Sequence, residues 1–227
     1  MREASGLFAL ALLSAIASNA AWLIYAVSSG AQPPAPELAD TAGQVAALTA
    51  GRGVSLTYGW SGTFGALLTI PYFFAMVWAC DALGPQRWLA FMTGMVGAFM
   101  TALAFMAVSL SPVYSALPIV QASPDAAAAG VVALKIAQSS FDAPWFIGSF
   151  LAYGLATFWI ALGLLKSRIG PAWLQWLGMA GGVVGLIWLR HFVPVLMPVA
   201  ALGSIINIVL IIIWSLGTSL ILWRRAT

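Results

Sequence analysis

Long apolar runs alternate with short polar breaks along the whole chain, and the clearest pair lies between Trp145 and Leu189. Trp145 to Leu165 and Trp173 to Leu189 are separated only by Lys166-Ser167-Arg168-Ile169-Gly170-Pro171. Each run nears the ~20 apolar residues a helix needs to cross a bilayer core of ~30 Å, and the link is too short to hold a domain. The pair therefore reads as a transmembrane helical hairpin. The same pattern recurs and predicts an all-α, polytopic six-helix bundle as one membrane domain over 1–227, with spans at about 6–27, 58–80, 88–110, 144–165, 172–189 and 198–223.

The first run follows Arg2 and has a loose cleavage-like Ser18-Asn19-Ala20, yet its apolar stretch continues through Trp22 and Tyr25, so it reads as a retained helix rather than a signal. Two longer polar stretches interrupt the spans. Pro33-Pro34-Ala35-Pro36 opens the first, which predicts a short helix from Glu37 to Thr49; Ser111-Pro112 opens the second. In the second, a surface helix is expected from Pro124 to Ser139 with Asp125 as N-cap. The fourth span should then restart with Asp142 as N-cap and Pro144 in its first turn. Pro71, mid-way along the second span, predicts a kink.

Charge changes the picture by fixing sidedness. With six spans, Arg2, Arg87, Lys166, Arg168, Arg224 and Arg225 fall on one side against Arg52, Lys135 and Arg190 on the other. Short loops rich in Lys and Arg stay in the cytoplasm, so both termini are expected there and the two polar segments outside, in a bacterial inner membrane. Composition agrees: 62% hydrophobic and 7% charged residues exclude a water-soluble domain, whose charged share is near ~25%. A net charge of +3, spread over helix ends, does not form a nucleic-acid surface. Cys80 is the single cysteine and His191 the single histidine, which excludes an intrachain disulfide, a cysteine-based zinc site and a bis-histidine haem.

Gly84-Pro85-Gln86-Arg87-Trp88-Leu89 resembles Gly170-Pro171-Ala172-Trp173-Leu174, and Tyr72 precedes Trp78 by the same six residues that separate Tyr153 from Trp159. The two hairpins fit a parallel repeat about an axis along the membrane normal. Chance similarity in a Gly-, Trp- and Leu-rich chain is the competing explanation. The run from Ala161 to Gly178, followed by Gly181-Gly182, also resembles the signature of uncharacterised bacterial multi-span membrane proteins grouped under domain of unknown function 4386. That resemblance implies a topology for the C-terminal part and no chemistry.

Candidate sites follow from polar and small residues inside the spans. Asn19 and Asn207, with Ser18 and Ser204, are the embedded polar side chains. An amide without partners in hydrocarbon costs several kcal/mol, so they line either a polar cavity or an interhelical contact between the first and sixth spans. Arg190 and His191 at the end of the fifth span, with Asp142 opposite, are the candidate extracytoplasmic interface site. Its readings are an ion pair or an anion and headgroup site with a pH-sensitive member. Gly178, Gly181, Gly182 and Gly185 form small-xxx-small registers for close helix packing. Trp22, Trp60, Trp88, Trp145, Trp173 and Trp223 fit an interfacial belt. Met92, Met95, Met100 and Met106, with Phe91, Phe99 and Phe105, offer a pocket on the third span for a lipid, quinone or pigment, with ordinary packing as the alternative.

No histidine lies beside a nucleophile, no acid pair sits deep in the membrane, and no phosphate loop is present. The balance falls against an enzyme. No covalently or axially held cofactor or metal is expected, and a loosely bound hydrophobic ligand stays open. The reading is a non-enzymatic membrane protein, either an accessory subunit contacting lipids, other membrane chains or itself, or a hydrophobic-ligand binder. A small-solute or lipid transporter built on the repeat is the alternative.

Overall fold

The computed structural model describes residues 2–32, 36–37 and 39–227. Pro33, Pro34 and Ala35 of the proline run, and Leu38 within the expected first-segment helix, lie outside the described residues. Among the described residues six helical stretches are long and apolar enough to cross a membrane: Ser5–Gly30, Arg52–Ala79, Gln86–Val120, Pro124–Lys166, Ala172–His191 and Pro194–Ala226. The chain is an all-helical, multi-pass membrane protein.

α1 (Arg2–Gly30) is followed by α2 (Thr41–Ala50), which starts later than the Glu37 expected from sequence because Asp40 caps it: its side chain accepts a hydrogen bond from the Gly43 N–H. The second span consists of α3 (Arg52–Leu67) and α4 (Thr69–Ala79), broken at Leu68. The expected Pro71 kink accounts for the break, since a proline ring clashes with the carbonyl four residues back, here that of Leu67. Pro71 then sits in the first turn of α4, where its missing N–H leaves no gap.

α5 (Gln86–Phe105) does not end at Leu110 as expected. It continues through π-helical turns at Met106–Leu110 and Pro112–Ala116 into α6 (Leu117–Val120). Pro112 cannot donate to the Val108 carbonyl, and the wider turns absorb the mismatch; Gln138 Nε2 takes that carbonyl instead, at 3.1 Å.

The largest departure concerns α7 (Pro124–Ser149), which runs without interruption through a π-helical stretch (Phe150–Ala156) into α8 (Thr157–Lys166). Separate surface and spanning helices do not exist here. Ser123, not Asp125, caps α7 by accepting from the Ala126 N–H, while Asp142 and Pro144 are helix-interior residues and Asp142 is no cap. One proline removes one backbone bond, and the close packing of α7 on α5 outweighs that loss. The 43 residues of Pro124–Lys166 extend ~65 Å at 1.5 Å per residue, about twice a bilayer core, so the start of α7 projects beyond the bundle. There it joins α2 and α6 in a second small core of Leu117, Val120 and Val131, edged by Val45 and Leu48.

α9 (Ala172–Val184) tightens into a 3-10 stretch (Gly185–His191), and another (Pro194–Val199) leads into α10 (Ala200–Ala226). The main core joins α1, α4, α8, α9 and α10 around Tyr72, Phe73, Ile160, Leu164 and Trp214. All four glycines flagged in the fifth span pack inside the chain. Gly178 faces Trp214, Gly181 faces Leu210, Gly182 faces Phe158 and Gly185 faces the Gly154 backbone.

The two hairpins agree in some features and differ in others: Pro85 is helical (φ −61°, ψ −26°) and Pro171 extended (φ −73°, ψ 143°). Gly84 and Gly170 both hold the left-handed conformation, φ 54° and 74°, immediately before a proline. Tyr72 and Tyr153 are buried at 2% and 6% exposure, while Trp78 and Trp159 are 50% and 43% exposed. Corresponding residues thus occupy corresponding environments.

Candidate functional site

A cleft opens between α1 and α10 against the α7 continuation. It is narrow, with about 40 Å³ of free space, well below the ~300–1,000 Å³ of small-molecule sites. Asn19, Trp22 and Tyr25 line it from α1, at a spacing of three that keeps them on one helix face. Trp145, Ser149 and Tyr153 line the opposite side, Trp188 the outer end, and Asn207 with Ile208, Ile211 and Ile212 the α10 wall.

The rings interlock. Phe105, buried on α5, contacts Trp22, Tyr25, Tyr58 and Trp145 at centroid distances of 5.7, 5.0, 5.6 and 5.1 Å. Trp22 meets Tyr153 edge-on at 5.6 Å. Offset and edge-to-face pairs of this kind each add about 0.5–1.5 kcal/mol beyond area burial, so the walls are held in place without a ligand.

The two embedded amides play different parts. Asn207 Nδ2 donates to the Gly181 and Tyr153 carbonyls at 2.7 and 3.3 Å, and its Oδ1 accepts from Trp188 Nε1 at 2.9 Å. It is saturated and acts as a structural clamp. Asn19 Nδ2 donates to the Ala15 carbonyl and to Ser215 Oγ, at 2.7 and 3.0 Å, whereas its Oδ1 accepts no hydrogen bond within the described residues. Ser149 Oγ makes none either. Trp22 Nε1 and Tyr153 Oη lie buried side by side near Thr69, neither in a well-formed bond. An aromatic-walled cleft thus carries one free acceptor and a free hydroxyl.

The residues grouped from sequence separate in space. Asn19 and Asn207 share the cleft but no hydrogen bond joins them; α1 meets α10 through Asn19 and Ser215. Ser18 instead donates to the Gly65 carbonyl on α3 at 2.8 Å, and Ser204 accepts from Arg190 Nη1 at 2.9 Å. The expected ion pair of Arg190, with Asp142 opposite, does not form, nor does one with Glu37, Asp40 or Asp125. Its guanidinium stacks over Phe146 and Trp188, 4.7 and 5.5 Å from their centroids, and forms no ion pair among the described residues. Rings and a hydroxyl are what α7 and α10 present to it, while Asp40 is engaged in capping α2. His191 also packs on Phe146, at 4.0 Å, with Asp142 one turn earlier on α7. These two residues share the neighbourhood without forming a closed site with Asp142.

The pocket anticipated on the third span is corrected too. Met92, Phe99 and Met106 face outward, and only Phe105 of that set supports the cleft, from behind. Trp22 and Trp145 turn inward rather than joining an interfacial belt. Tyr25, Ser149, Tyr153 and Trp188 were not anticipated as a site; the signal for the α1 wall was the Asn19, Trp22, Tyr25 spacing. Among the described residues no three His, Cys, Asp or Glu side chains cluster as metal ligands, and the cleft offers hydrogen bonding and apolar contact. No family model, curated protein or solved structure matches the chain.

Proposed function

We propose that this protein binds a hydrophobic ligand of the lipid or quinone class in the α1–α10 cleft, as a non-enzymatic membrane module or as the ligand-carrying subunit of a larger assembly. The observation that carries this reading is the pair of unpartnered polar atoms, Asn19 Oδ1 and Ser149 Oγ, on walls otherwise built of rings and isoleucines. Polar groups left open in an apolar site are costly unless something satisfies them. A head bearing a hydroxyl next to a carbonyl, or a reduced quinone ring, would meet both, and its planar face would suit Trp22, Trp145 and Tyr153. With about 40 Å³ of free space, the cleft would have to widen to take such a head, its tail lying outside it.

Protein extracted gently from its native membrane should retain such a molecule near one per chain by mass spectrometry, and Asn19→Leu should lose most of it. Stoichiometric partner chains with an empty cleft would instead make it an accessory subunit working through its helix surfaces.

The matched hairpins favour a second reading, a lipid or small-solute transporter on a parallel repeat. Ligand movement across vesicles containing the purified protein would select it; retention without movement selects the binder.

The proposed setting is a bacterial inner membrane with both termini cytoplasmic and the α2, α6 and early α7 cap outside. The resemblance of the C-terminal part to the uncharacterised family named above fits this topology. In a Cys80→Ser background, Asp125→Cys should react with an impermeant thiol reagent on intact cells and Lys166→Cys should be protected. The reverse labelling would invert the arrangement.

A further inference from the structure

A second cavity lies under the cap, bounded by α2, the start of α3, the π-helical turn of α5 and α7. Its free space is about 300 Å³. Its lining is more polar than the cleft's: Ser55, Tyr58, Ser109, Lys135 and Gln138 share it with Leu48, Val108 and Pro112, and no Asp or Glu among the described residues lines it. Lys135 is half-buried there and makes neither a hydrogen bond nor an ion pair within the described residues. Ser109 is 5% exposed, and its hydroxyl is buried without a partner.

The local backbone explains this placement. Ser109 lies in the π-helical turn, pressed against Gly59 of α3, and such turns recur at functional sites because they re-aim side chains. Gln138, one turn beyond Lys135 on α7, is already committed to the Val108 carbonyl. Two acidic residues lie along the same segments: Glu37, whose carbonyl meets Gln44, and Asp142, two turns further along α7. Neither engages Lys135.

We infer that the cap cavity binds an oxyanion, a carboxylate or phosphate group held by the Lys135 ammonium and the Ser109 hydroxyl. An ammonium with no counter-charge, in the same cavity wall as a serine whose buried hydroxyl has no partner, is completed by an acceptor-rich anion, through charge-assisted hydrogen bonds stronger than neutral ones. The cavity is separate from the cleft; the two share only the Tyr25–Tyr58 pair, whose hydroxyls lie 3.4 Å apart. This site stands whether or not the cleft holds a ligand.

The test is the thermal unfolding midpoint of the full chain in uncharged nanodiscs, titrated with inorganic phosphate and with acetate, and compared with nanodiscs containing phosphatidylglycerol. A saturable upward shift with a soluble anion identifies a free solute. A shift confined to phosphatidylglycerol identifies a lipid headgroup. In either case Lys135→Gln should weaken the effect at least about tenfold, as loss of a charged hydrogen bond implies, and Lys135→Arg should restore it. Ser109→Ala removes an unsatisfied hydroxyl, so its anion-free midpoint should equal or exceed the parent's while its anion-dependent shift shrinks. No shift with any probe, or an equal shift in Lys135→Gln with its anion-free midpoint unchanged, would overturn the site.

Discussion

Gly148→Leu is expected to leave almost no folded protein in detergent, the largest effect of any single change proposed for this chain. Gly148 is where α7 crosses α5 with no side chains between them. A Cβ there would lie 2.8 Å from the Gly97 carbonyl oxygen and 2.8 Å from the Thr101 amide nitrogen; one on Gly97 would lie 2.6 Å from the Gly148 oxygen. Rigid backbone stands on both sides, so no rotamer relieves the clash. Overpacking usually costs about 1–3 kcal/mol where side chains can shift, and this site belongs at or above the top of that range. Lipid supplies no hydrophobic drive between helices, so stability depends on such close approaches. The same crossing holds Trp145, Ser149 and Tyr153 in the cleft wall, so ligand retention and fold should fail together. Gly53→Ala is the control, since a Cβ there meets nothing within 4 Å. Size-exclusion profile and unfolding midpoint decide it; a monodisperse Gly148→Leu with the parent's midpoint would disprove the crossing.

Asn207→Leu should be the next most damaging change. It leaves the Trp188 indole N–H without a partner and removes the bonds to the Gly181 and Tyr153 carbonyls, of which Gly181 still accepts from the Gly185 N–H. A buried group left unsatisfied costs about 1–3 kcal/mol, whereas a typical interhelical hydrogen bond in a membrane is worth only about 0.6–2 kcal/mol. Three lost bonds and one stranded donor make the loss exceed that of Asn19→Leu, which removes one interhelical bond, to Ser215. Because Trp188 and Asn207 share a bond, Trp188→Phe combined with Asn207→Leu should cost less than the sum of the two. Additive losses measured by unfolding would mean that the clamp does not hold the indole.

The reach of sequence reasoning can be traced through particular residues. Six apolar runs were legible because span length is set by the bilayer, and the Pro71 break because proline acts on the carbonyl four residues back. Asp142-Ala143-Pro144 misled for a physical reason: it has the local grammar of a helix start, and only the packing of Gly148 on Gly97, remote in sequence, keeps α7 going through it. Trp22 and Trp145 were assigned to the interface because an indole, apolar with one donor, suits a headgroup layer and an internal cleft equally well. Arg190 was matched to carboxylates by charge, yet its neighbours turned out to be the Phe146 ring and the Ser204 hydroxyl, a pairing that no spacing rule encodes. Asn19 and Asn207 were correctly singled out as embedded amides. That one is saturated and the other keeps a free acceptor depends on which carbonyls the neighbouring helices present.

The central claim is that the α1–α10 cleft holds a hydrophobic ligand, and photolabelling tests it most directly. The protein in nanodiscs is irradiated with a quinone or lipid analogue carrying a photoactivatable group near its head, and the adducts are mapped by peptide mass spectrometry. The account predicts adducts within residues 19–25, 145–153 and 207–212 that excess unlabelled analogue competes away and Asn19→Leu reduces. Adducts spread over the outward-facing Leu13, Leu103 and Ile205, indifferent to competitor, would show only bulk lipid contact and contradict it.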